Sequence, residues 1–117
     1  MLWLAVGCGP AGADDRGRAL FEPCRACHTL DPTVRGMAGP NLAGLIGRPI
    51  GGDPGFDYSP ALKQAAADGR HWDRAKLDTF LADPEEMFPG LWMAMRGPAD
   101  ADDREALVRF LADPASR

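Results

Sequence analysis

A chain of 117 residues is long enough for one domain with a modest hydrophobic core. Its net charge of -4 and pI near 5.0 exclude the basic face that nucleic-acid binding needs. Fourteen glycines and eleven prolines predict long loops that a core of this size cannot hold unaided, and no segment is long enough to span a bilayer.

In chain order, Leu2 to Val6 is apolar and Ala11-Gly12-Ala13 offers small residues for cleavage, so residues 1–13 read as an export leader. No Lys or Arg precedes its short apolar run, so the leader reads as one with a truncated or misassigned start. Cys8 offers an alternative as a lipid-modified cysteine, the one route to membrane association, although Ala5 fits that motif poorly. Cleavage is preferred, and residues 14–117 form the domain.

"DDRGRALFEPC" predicts a short helix with Ala19 and Leu20 on its packing face, ended or bent by Pro23. About thirty residues follow, from Cys27 to Tyr58, with almost no regular pattern; a loop of that length wraps something functional. "SPALKQAAADG" predicts a helix with Ser59 as N-cap, Pro60 at the first position and Gly69 past its end. In "WDRAKLDTFLADP", Leu77, Phe80 and Leu81 recur at helical spacing and Asp83-Pro84 is the stop. "MFPGLWMAMRGP" reads as extended and irregular. "ADADDREALVRFLADP" predicts a final helix with acids at its start and Leu107, Val108, Phe110 and Leu111 on its apolar side. "FLADP" occurs twice, as two similarly written helix ends. The acidic runs at Asp83, Glu85, Glu86 and at Asp100, Asp102, Asp103, Glu105 read as solvated faces with helix-start acids. No alternating strand pattern occurs, so the fold class is all-α, with short helices and long loops.

The chemistry concentrates in "PCRACHTLD". A Cys-x-x-Cys pair serves a redox disulfide, half a zinc site or a haem attachment site. The first needs strands around it, and none are visible. The second needs another ligand pair, and outside the motif only Cys8 and His71 remain. The third needs a histidine directly after the second cysteine, and His28 follows Cys27. Thiols three positions apart lie on one face of a helical turn, where both reach the vinyl carbons of one porphyrin edge. Cys24 and Cys27 would thus tether one haem c, with His28 as an iron ligand. A thioether is the sixth ligand that raises the reduction potential. Met93, held after Pro89-Gly90, and Met95, which faces the same way in an extended chain, are both candidates.

"CRACH" (24–28), "GPNLAGLIGR" (39–48), "PGFDYS" (54–59), Trp72 and "FLADPEEMFPGLWM" (80–93) together resemble the class I c-type cytochromes, in particular the mitochondrial and α-proteobacterial kind. The resemblance covers nearly all the chain after the leader. It implies that Met93 is the axial ligand and that Pro40 accepts a hydrogen bond from His28. It also implies that Arg48, Tyr58 and Trp72 bind a buried haem propionate. His71, beside Trp72 at a helix start, is expected to be exposed. Departures from the family pattern are Phe80 for a tyrosine, Leu91 for a threonine, Trp92 for a lysine and Leu62 for an asparagine. Phe21 also stands one residue nearer the first cysteine than usual.

The expected function is single-electron transfer between redox proteins outside the cytoplasm, in the periplasm, with no bond chemistry. Leu91, Trp92 and Met95 are expected to border an apolar docking patch. The alternatives are a haem enzyme or gas sensor with a labile methionine, and a fixed subunit of a dehydrogenase or oxidase complex.

Overall fold

The computed structural model describes the backbone of residues 11–113 and the side chains of residues 15–113. The leader, Cys8 and the last four residues lie outside the described residues. Five α-helices occur: α1 (Ala11–Phe21), α2 (Pro60–Ala67), α3 (Arg74–Ala82), α4 (Pro84–Met87) and α5 (Ala101–Ala112). α1 opens three residues before the expected domain start at 14 and runs into a 3-10 helix, Glu22–Ala26, which has Pro23 at its start. The α-helix therefore ends just before Pro23, as expected. Among the described residues the one β feature is an isolated bridge between Pro49 and His71.

Local chemistry accounts for most of the boundaries. α3 begins where Asp73 accepts a hydrogen bond from Lys76 N at 2.7 Å, and α5 where Asp100 accepts from Asp102 N at 2.8 Å and Asp103 N at 3.1 Å. Each of these caps satisfies amide groups that a helix start leaves unpaired. Asp83 does more than stop α3. Its backbone N–H donates to Thr79 O, and its side chain accepts from Glu86 N at 3.2 Å, opening the one-turn α4. α2 ends before Gly69, whose φ of 74° suits a residue without Cβ.

α5 packs against both α1 and α3. Of the two α1 residues expected on one face, Leu20 is half-buried and packs against the core whereas Ala19 is exposed; Gly17 and Phe21, four apart, are buried. Phe21 is fully buried and lies 5.6 Å from the Phe110 ring, so its position one residue nearer Cys24 does not cost it the core. Leu107, Val108, Phe110 and Leu111 are buried as the helical period requires, and so are Leu77 and Leu81. An ion pair between Arg16 and Asp103 joins the outer sides of α1 and α5.

A second packing centre is aromatic. Trp72 meets Phe80 edge-on at 5.3 Å and Phe88 at 6.4 Å, and Phe80 lies 6.0 Å from Phe88. Such tilted and edge-on pairs suit the ring quadrupoles. This cluster, with Leu91 packed against the core, makes the wall on the side of the 88–98 segment apolar. Phe80, standing where the family pattern has a tyrosine, contributes a ring and no hydroxyl.

Candidate haem site

Cys24 sits in the 3-10 helix and Cys27 caps it; the two form no disulfide, and Cys24 is half-buried and Cys27 exposed. Burial, then the neighbouring Cys27, pushes the Cys24 thiol above its ordinary pKa. The turn is closed by Cys27 N and His28 N, which both donate to Cys24 O, at 3.1 and 2.9 Å. This places the two sulfurs and the imidazole in one short motif. Among the described residues no three His, Cys, Asp or Glu side chains are grouped so as to hold a metal ion by themselves.

His28 is positioned by the following loop. Gly39 N donates to Cys27 O at 2.8 Å and Leu42 N to Thr29 O at 3.0 Å, which brings Pro40 beside the ring. His28 Nδ1 lies 2.8 Å from Pro40 O. A carbonyl only accepts, so Nδ1 carries the proton and Nε2 keeps its lone pair for a metal. Burial lowers the imidazole pKa, against the opposing pull of the Pro40 bond, so the ring is neutral at neutral pH. Gly39 is required here: a Cβ would stand 2.5 Å from His28 Cε1 and 2.8 Å from Nδ1.

The loop carrying Arg48 is pinned antiparallel to the segment carrying Trp72. Gly47 N donates to Trp72 O at 2.8 Å, Trp72 N to Arg48 O at 2.9 Å, and Ile50 N to Arg70 O at 2.8 Å. Arg48 gives its terminal nitrogens to Ala43 O and Asn41 O, at 2.9 and 2.6 Å, while its buried Nε has no partner. Ser59 stands at the N-cap of α2 as expected, but its hydroxyl, likewise buried and unpartnered, makes no capping bond. Tyr58 Oη accepts from Asp53 N at 2.9 Å, and burial raises the phenol pKa. An unmet buried polar group costs about 1–3 kcal/mol, so Arg48 Nε and Ser59 Oγ suit a bound acceptor such as a carboxylate. Trp72 is buried, and His71 is exposed as expected.

Two organising residues carried no assigned role in the sequence reading. Asn41 donates through its side chain to Asp31 O at 2.7 Å and Val34 O at 3.2 Å, accepts from Ala43 N at 2.8 Å, and donates its backbone N–H to Asp53 at 2.9 Å. Asp53 also accepts from Gly55 N at 3.0 Å. Together they bind the long loop to itself beneath Arg48. The asparagine after Gly39-Pro40 was the available signal.

Burial pushes the Asp53 carboxyl up, but the Asn41 and Gly55 amides and the Arg48 and Arg35 charges outweigh it and hold its pKa below the usual value of 3.8. A folded pKa below the unfolded one adds stability that is present above the unfolded pKa. That stability is lost as pH falls through the folded pKa. Asp53 is covered by its own loop near the edge of the fold, where screening limits the effect to about 1 kcal/mol. Asp53→Asn is expected to lower stability by that amount at neutral pH and by progressively less below the carboxylate range. Denaturant unfolding at pH 7 and pH 3 measures the difference; an equal loss at both would remove the electrostatic account.

Met93 is half-buried in the non-helical 88–98 segment, whereas Met95 is 51% exposed. The segment is held at both ends. Pro89-Gly90 turns it, with Gly90 at φ 81°; Gly97 N donates to Leu81 O at 2.7 Å; and Arg104 donates to Pro98 O and Ala99 O at 3.2 and 2.9 Å. Cysteines three apart, a histidine with Nε2 spare, a glycine that leaves the ring uncrowded and two orphaned donors fit a tethered haem.

No protein-family model matches the chain. It is 38% identical over 101 residues to cytochrome c2 of Agrobacterium tumefaciens, covering 86% of this chain and 91% of that protein. It is 39% identical over 103 residues to cytochrome c of Stellaria longipes, covering 87% of this chain and 93% of that one. The chain belongs to the class I c-type cytochromes. The fold agrees: cytochrome cH from Methylobacterium extorquens superposes with a TM-score of 0.72 at 36% identity, over 88% of this chain and 97% of that one. This cytochrome therefore carries one covalently attached haem c and transfers single electrons between redox partners; it is not an enzyme. Among the described residues no helix is long and apolar enough to cross a membrane.

Proposed function

We propose that Cys24 and Cys27 form the thioether links, that His28 Nε2 and the Met93 sulfur ligate the iron, and that Arg48, Tyr58, Trp72 and Ser59 hold a propionate. The haem iron, when bound, supplies the one-electron couple. The chain's own residues keep its surroundings constant between the two oxidation states. Pro40 fixes the His28 ring and its tautomer, and in doing so strengthens the ligand. The clamped 88–98 segment holds Met93, the more covered of the two candidate methionines, in place. The apolar wall of Trp72, Phe80, Phe88 and Leu91 keeps water from the methionine side, and together with a thioether this favours the reduced state. The two orphaned donors receive the propionate charge without a rearrangement. The partners are an electron donor and an electron acceptor outside the cytoplasm, and the location is the periplasm, in keeping with the export reading of residues 1–13.

The observation that carries this reading is the 2.8 Å contact between His28 Nδ1 and Pro40 O, which dedicates Nε2 to iron. Absorption spectra of the holoprotein test it. The ferric form is expected to show a methionine–iron charge-transfer band, and the ferrous form no change under carbon monoxide. Immediate carbon monoxide binding would mean an open iron position and overturn the six-coordinate assignment.

A further inference from the structure

Among the described residues Asp53 is the one carboxylate that the fold buries, at 9% exposure. Haem tethering and iron ligation make no use of it, and a buried charge is costly unless it is paired and hydrogen-bonded. Both of its oxygens are engaged. Oδ2 accepts from Asn41 N at 2.9 Å and Oδ1 from Gly55 N at 3.0 Å. Its own N–H donates to Tyr58 Oη at 2.9 Å. Two amides converge on this side chain, so a carboxylate suits it; an amide side chain would turn its NH2, a donor, toward one of them.

These bonds tie Asp53 to two residues of the propionate group. Arg48 donates to Asn41 O at 2.6 Å, so the guanidinium and the carboxylate grip the carbonyl and the N–H of one residue. Because Tyr58 Oη accepts from Asp53, its O–H is left to donate elsewhere. The charged and titratable groups that face the carboxylate are Arg48, Arg35 and Tyr58. Reduction adds an electron to the haem, so a cation beside it favours Fe(II) and an anion favours Fe(III), most strongly where burial limits screening.

We propose that Asp53 is a positioning residue that also sets the reduction potential: its hydrogen bonds fix Arg48 and Tyr58 for the propionate, and its buried charge offsets that of Arg48 and eases oxidation of the haem. The inference rests on Arg48 and Tyr58 as propionate residues. A purely structural role predicts the opposite sign. Loosening the loop would admit water to the haem, and polar surroundings stabilise the more highly charged Fe(III) site, so the potential would fall. Removing the charge with the loop intact raises it.

Spectroelectrochemical titration of the holoprotein at neutral pH tests the sign. Asp53→Asn and Asp53→Ser each remove the charge and keep one acceptor. At a fixed applied potential each is expected to raise the Fe(II)-to-Fe(III) ratio about threefold, which is ~28 mV at 59 mV per tenfold. Asp53→Glu keeps the charge and is expected to stay near the parent ratio; an equal rise there would trace the effect to geometry and overturn the proposal. A fall or no change in both neutral variants would also overturn it. So would loss of the ferric methionine–iron band in both, which would assign Asp53 to the fold alone. Arg48→Leu separates this inference from the reading beneath it, and is expected to lower the ratio about threefold. If Arg48→Leu changes nothing, the propionate reading fails. If it lowers the ratio while the neutral Asp53 variants do not respond, the role of Asp53 fails alone.

Discussion

Met93→Ala is expected to abolish the ferric methionine–iron band, to open the iron to carbon monoxide, and to lower the reduction potential by roughly a hundred millivolts, well within the ~0.8 V over which axial ligands set haem potentials. The fold should survive, because the segment is held by contacts that do not involve the thioether: Gly97 N to Leu81 O at 2.7 Å, Arg104 to two carbonyls, and Arg104 Nε to Asp78 at 3.0 Å. Met95→Ala is the matched control. Met95 is half exposed and is assigned no iron contact, so its removal should leave the band and the potential nearly unchanged. The reverse result, with the band lost in Met95→Ala and kept in Met93→Ala, would exchange the two assignments. Loss in neither would require a ligand other than methionine.

The site was legible where its chemistry is local. Cys24, Cys27 and His28 declare themselves by spacing, and Asp73 and Asp100 announce helix starts within three residues of the amides that they cap. Interactions across the long loop gave no such signal. Asn41 and Asp53 are 12 residues apart, and nothing in either neighbourhood points to the other. Ser59 satisfied a helix-start rule in sequence, yet its hydroxyl is buried without a partner. The rule describes what a serine offers an amide, not what else competes for it. Asp83 was read as a stop because Pro84 follows; the same proline fits the first turn of a helix, so one residue closes α3 and opens α4. On α1 Leu20 packs as the pattern requires but Ala19 does not, for a related reason. Hydrophobic periodicity weighs side chains, and α1 meets α5 closely at a residue that has none.

That residue is Gly17. Gly17→Ala is expected to destabilise the holoprotein by about 1–3 kcal/mol, the usual range for overpacking a core, and Gly17→Val by more. A Cβ at Gly17 would lie 2.6 Å from Ala106 O and 2.7 Å from Phe110 Cβ. The first is backbone of α5 and the second is fixed to it, so no side-chain rotation relieves the contact; the helices must separate. Separation loosens the Phe21–Phe110 contact and the Arg16–Asp103 ion pair together. Helix propensity acts in the other direction, since alanine is favoured over glycine by about 1 kcal/mol in a helix interior. The two effects therefore predict opposite signs. Ala19, exposed on the same helix, isolates propensity: Ala19→Gly is expected to cost about 0.5–1 kcal/mol with no packing change. Guanidinium unfolding followed by helical circular dichroism reads both variants. If Gly17→Ala stabilises the protein, propensity outweighs packing and α1 and α5 have room for a methyl group at this position.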